Sequence, residues 1–122
     1  MKDLKISTEI SKELASSVLG LNVVYTENCE HRDGIIGIWT DMDTKPIEEI
    51  NIYEFAFKCK VWAFNEYKIY LSSELGEDSE VSLFWTANFK IKNENKSFYG
   101  DTEFEAIIKA CEWLQENIKE IK

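Results

Sequence analysis

The segment VSLFWTANFKIK, residues 81–92, alternates apolar and polar side chains with a period of two. Val81, Leu83, Trp85, Ala87, Phe89 and Ile91 fall on one face of an extended chain. Ser82, Thr86, Asn88, Lys90 and Lys92 fall on the other, with Phe84 the one apolar intruder. Such a strand has one face to bury and one to wet. That is the pattern of an antiparallel sheet, because parallel strands are covered on both faces and read as unbroken apolar runs. The chain is thereby committed to an antiparallel sheet, and its other segments decide what covers the dry face.

Three helices are available to cover it. The last starts at Thr102 as N-cap, with Glu105 three residues on to close a capping box, and Asp101 and Glu103 favour the positive end of the helix dipole. The middle one, INIYEFAFKCKVWAFN, opens with Asn51 as N-cap, Glu54 in the box position and Ile50 placed to staple against Phe55, and should run to about Asn65. The first carries Ile10, Leu14 and Val18 at helical spacing after Ser7, and Gly20 ends it.

Strands are expected at 21–26 and 34–40 across the turn-forming ENCEHRDG. Residues 40–50 read as a connector, and a strand at 67–73 precedes the acidic turn ELGEDSE. After 81–92, NEN turns into a short KSFYG strand. The resulting order is α-β-β-α-β-β-β-α. The expected fold is α+β, one antiparallel sheet of about five strands with helices packed on it. A chain of 122 residues without repeats or a proline-rich linker makes this a single domain, 1–122.

Charge excludes some partners. With 23 acidic residues against 14 basic ones, the chain lacks the basic stripe that phosphate neutralisation requires, which argues against direct nucleic-acid binding. An acidic surface suits a basic protein partner, including one that itself binds nucleic acid. No apolar stretch of signal-peptide length opens the chain, and nowhere do 18 apolar residues run together, so no membrane association is expected. Cys29, Cys59 and Cys111 are odd in number and widely spaced, which fits reduced thiols in a cytoplasm.

The helix faces raise the main question. In the last helix Phe104, Ile107, Ile108, Cys111, Leu114, Ile118 and Ile121 share a sector expected to face the sheet, yet Trp113 lies roughly 140° from its middle. Ala106 and Ala110 flank Trp113 and would let another backbone come close. The middle helix has a core stripe of Ile52, Phe55, Ala56, Cys59, Trp62 and Ala63. Phe57, Val61 and Phe64 form a second stripe, more than about 120° away. A helix with two stripes is covered on two sides. Either the first helix lies over Phe57 and Phe64 while Trp113 fills a groove between helices, or these side chains anchor a partner or a second copy.

Chemistry has less to stand on. His31 is the only histidine, and no nucleophile elbow, zinc-protease motif or phosphate-binding glycine loop occurs. We therefore expect no enzyme, no catalytic residue, no cofactor and no metal. Cys29 and His31 with Cys59 and Cys111 would make a zinc set, but Cys59 and Cys111 sit in apolar stripes where cysteine acts as a small hydrophobe. Asp41, Asp43, Glu48 and Glu49 lack calcium-loop spacing and read as a solvated connector. Glu74, Glu77, Asp78 and Glu80 crowd one hairpin tip, where a basic partner could dock.

INIYEFAFKCKVWAF, followed by strands and DTEFEAIIKACEWLQEN, resembles small uncharacterised bacteriophage and prophage proteins similar to the phage helix–sheet–helix (ABA) sandwich domain. The resemblance implies phage origin and the cytoplasm of a bacterial host. It carries no catalytic or ligand residue. On it rests the expectation of a non-enzymatic protein that binds and blocks a host protein, such as an anti-defence, anti-CRISPR-like inhibitor. Its contacts would be Phe57, Val61, Phe64 and Trp113 with Glu77, Asp78 and Glu80. The alternatives are a self-associating structural or accessory phage domain, a homodimer, and a small carboxylate-based or nucleotide-sequestering protein.

Overall fold

A computed structural model of the chain describes residues 10–28, 34–42, 45–77 and 83–117. The chain divides into two compact units between Lys58 and Cys59.

In the first unit, α1 (Lys12–Leu19) is capped at both ends. The Ser11 hydroxyl accepts from the Leu14 N–H at 3.1 Å. Gly20 takes φ 69°, a left-handed conformation that costs a glycine little, and donates its N–H to the Ser16 carbonyl. The Val23 N–H donates to Ser16 Oγ, and Thr26 Oγ1 donates to the Ile10 carbonyl, so both ends of α1 are tied to the chain around β1. Strands β1 (Tyr25–Asn28), β2 (Ile35–Trp39) and β3 (Glu48–Asn51) form an antiparallel sheet in that order. Thr26 pairs with Ile38 and Ile36 with Ile50, and Ile36, Ile38 and Ile50 are buried. β2 is the central strand, as its two apolar faces imply.

Strand β3 lies inside the expected connector. Its sequence EEIN offers a single buried side chain, Ile50, between exposed glutamates and Asn51. At a sheet edge the backbone ladder to β2 fixes the strand, and so short an apolar signal does not announce it.

Helix α2 (Ile52–Tyr67) follows directly, starting in the first unit and ending in the second. Asn51 Oδ1 accepts from the Tyr53 and Glu54 N–H groups at 2.7 and 3.1 Å, the expected N-cap. The helix passes Asn65 and closes with Lys68 left-handed at φ 58°. There Lys68 N–H donates to the Phe64 carbonyl, the bond of an αL closure, and Ile69 N–H donates to the Ala63 carbonyl.

In the second unit β4 (Ser72–Glu77), β5 (Leu83–Ile91) and β6 (Glu94–Gly100) form an antiparallel meander, followed by α3 (Glu103–Asn117). The expected fold is thus corrected. The protein is α+β, but its described residues form two three-stranded antiparallel sheets and three helices rather than one sheet of about five strands, in the order α-βββ-α-βββ-α. β4 starts later than expected because the αL closure of α2 and Ile69–Leu71 consume the chain first. Glu74–Glu77, read as a turn, are strand. The β5–β6 reversal is a two-residue turn at Lys92 and Asn93, both with positive φ (49° and 67°), the type I′ geometry that suits strand twist.

Thr102 caps α3, its Oγ1 accepting from the Glu105 N–H at 3.1 Å. Contrary to expectation, Trp113 does not stand apart from the sheet. It packs on Phe89 and Phe98, with ring centroids 5.8 and 6.2 Å away. A Cβ on Gly100 of β6 would come within 2.8 Å of the Ala106 backbone nitrogen. The face that carries Ala106 and Trp113 therefore meets the sheet, and Phe104, Ile107, Ile108, Cys111 and Leu114 are buried as well. Close approach requires side chains without bulk, and only the alanine face supplies them.

Candidate functional site

The inner face of α2 is buried from Ile52 through Ala63, as its core stripe requires. Its opposite face is not. Tyr53, Phe57 and Val61, spaced four residues apart, are 57%, 66% and 41% exposed and form a ridge along the helix. Phe64 continues the line but is half-buried, its ring 5.0 Å from Tyr70 and with the Lys68 ammonium 5.1 Å from its centroid. Tyr53 extends the ridge by one turn beyond the residues the sequence pointed to. It could have been found, since it stands four residues before Phe57 on the same bearing.

The remaining sequence candidates lie elsewhere. Trp113 is half-buried on the sheet, with Lys96 Nζ 5.3 Å from its ring. Glu77 is the last residue of β4, exposed and paired with Leu83, while Asp78 and Glu80 lie outside the described residues. The chain therefore does not gather Phe57, Trp113 and the acidic residues into one element.

Two polar or reactive groupings occur that no motif announces. Ser73 of β4 accepts a hydrogen bond from Lys60 Nζ at 2.9 Å and donates one to Glu103 Oε2 at 2.6 Å. These part-buried side chains link α2, β4 and the first turn of α3. A lysine that donates to the hydroxyl is not placed to take its proton, and that proton is already directed at Glu103. The arrangement holds three elements in register; it does not activate a nucleophile. The residues stand 13 and 30 positions apart, so only the fold brings them together.

The second grouping is Cys59 and Cys111, both reduced and fully buried. Burial raises the Cys59 thiol well above its ordinary pKa, and the hydrogen-bonded Cys111 side chain adds to the rise. A thiol held protonated is neither a good nucleophile nor a ready metal ligand. Cys29 and His31 lie outside the described residues. Burial also raises the Tyr67 pKa, with Glu66 adding to it. No helix among the described residues is long and apolar enough to cross a membrane.

No family model, curated protein or solved structure matches this chain.

Proposed function

We propose that this protein is a non-enzymatic binding protein whose α2 ridge docks on another protein. One observation carries the reading: Tyr53, Phe57 and Val61 stay in water along three turns of a helix whose other face is core. Phe57 is two-thirds exposed in mid-helix, a position where a polar residue would serve stability as well. Rigid aromatics at the centre of such a patch contribute disproportionately to binding once desolvated.

The likeness of the α2 and α3 segments to small phage proteins makes a host protein the preferred partner, blocked by occupation of its surface in the bacterial cytoplasm. The net charge of −9 favours a basic one through faster encounter, with Glu77 of β4 part of that field. An anti-defence role fits this chemistry. Self-association through the same ridge is the second reading, since an apolar helix stripe can also meet its own copy.

Affinity capture from host lysate with the wild-type chain, Phe57→Asp and Glu77→Lys tests the proposal, with sedimentation of each alone. A protein retained by the wild type and lost with Phe57→Asp supports docking at the ridge. A dimer that Phe57→Asp dissociates, with no host protein retained, replaces host binding by self-association. A partner held equally by both chains removes the ridge from the reading.

A further inference from the structure

The face of the β4–β5–β6 sheet opposite the one that meets Trp113 presents Ser72, Glu74, Asn88, Lys90, Asn95 and Ser97. An open groove of about 440 Å³ lies there, with Phe89 also in its lining. Register explains its lining. Ser72, Asn88 and Ser97 stand opposite one another across the three strands, and Lys90 stands opposite Asn95 in the next row. Tyr70, 78% exposed, walls one end, and Glu74 lies beside Ser72 on the same strand face.

The centre is pre-set. Ser97 Oγ donates to Asn88 Oδ1 at 2.7 Å, which turns the amide so that its Nδ2 hydrogens remain to donate. Ser72 Oγ donates to the Asn88 carbonyl at 3.4 Å. Glu74, Lys90 and Asn95 also line the groove, and all three are exposed.

These groups select by charge and by hydrogen-bonding type. One carboxylate and one ammonium leave the groove electrically balanced. A polyanion would meet a single cation on a chain of net charge −9 and gain little. An apolar ligand would leave the Glu74 and Lys90 charges and the Asn95 amide without partners. A neutral ligand rich in hydroxyls satisfies donors and acceptors together, and a sugar ring also offers an apolar C–H face to lie on Tyr70. We propose that this groove binds a short neutral oligosaccharide. It binds without cleaving, since glycoside hydrolysis ordinarily uses two carboxylates across the scissile bond and Glu74 is the one carboxylate in the lining.

The groove and the α2 ridge meet at the Phe64–Tyr70 ring contact, so Asn95→Ala on β6 is the variant that tests the groove apart from the ridge. The test is an amide NMR titration of the whole chain with maltotriose, cellotriose and chitotriose at millimolar concentrations, and with a short polyphosphate. The expected result is saturable shifts for at least one sugar, confined to residues 70–74, 88–90 and 95–97. Tyr70→Ala and Asn95→Ala, both at exposed positions, should each weaken that sugar about tenfold, the scale of one lost contact. Phe57→Asp should bind it as the wild type does. No saturable shift with any sugar, shifts that neither variant weakens, or tighter binding of polyphosphate would each overturn the proposal.

Discussion

Helices α2 and α3 carry the same anomaly in sequence, a second apolar stripe, and resolve it in opposite ways. In α3 the second stripe is Ala106, Ala110 and Trp113, and it is the face that lies on the sheet. In α2 the second stripe is Phe57, Val61 and Phe64; Phe57 and Val61 stay in water, joined by Tyr53, and Phe64 is half-buried. Size makes the difference. Two alanines and a glycine across from them let a helix backbone settle against a strand, and one tryptophan fills the space where the surfaces part. Aromatics at every turn hold a neighbour at side-chain distance, so they serve an interface better than a close internal crossing. A second stripe of small residues points to packing within the chain, and one of large residues points outward.

This contrast is open to direct attack. The largest effect should come from the α3–sheet contact. Gly100→Val places a Cβ 2.8 Å from backbone and should cost about 3 kcal/mol or more, read as a lower urea midpoint or failure to fold. Leu114→Ala, on the buried bulky face, should cost about 2–5 kcal/mol by cavity formation. Were both variants as stable as the wild type, the covered state of α3 would be refuted.

A smaller loss is expected for Trp113→Ala, about 2 kcal/mol, because that side chain is only partly buried. Denaturation at two salt concentrations should show the loss unchanged, since packing on Phe89 and Phe98 is apolar. A salt-dependent loss would move the credit to the Lys96 contact.

The buried thiol gives a pH signature. The folded Cys59 pKa is raised, so its contribution is complete below the unfolded thiol value of about 8.5 and is lost as pH climbs through the folded value. Over that alkaline window stability should fall by up to about 1.4 kcal/mol per pH unit. Cys59→Ala should flatten the slope. An equal slope in both proteins would assign the alkaline loss to other groups.

The smallest effect on stability belongs to the α2 ridge. Phe57→Asp should change unfolding free energy by no more than about 0.5 kcal/mol, as surface substitutions do, while removing association. A loss comparable to that of Leu114→Ala would show that Phe57 is core after all and that α2 and α3 do not differ.

Much of this was legible in the residues. Asn51 and Thr102 as caps, Gly20 as helix stop, the long β5 strand and the inner stripe of α2 follow from local chemistry, because caps and periodicity act over a few residues. β3 was hidden, since EEIN shows one apolar side chain and owes its strand to the β2 ladder. The two ends of the acidic segment around Glu77 were equally ambiguous: Glu74 and Glu77 read as turn residues until β5 pairs with them. The polar groove was not visible either, because Ser72, Asn88 and Ser97 belong to separate strands.

The sequence alone determined the caps of α2 and α3 and the Gly20 stop of α1, that the chain is acidic, and that two helices carry a second stripe. Those properties live in neighbours along the chain. Tertiary structure alone decided that the six strands of the described residues form two sheets, that Trp113 of α3 meets the sheet, and that Phe57 remains in water. Each of those depends on which surfaces can approach closely, and closeness between distant segments is set by packing rather than by any local pattern.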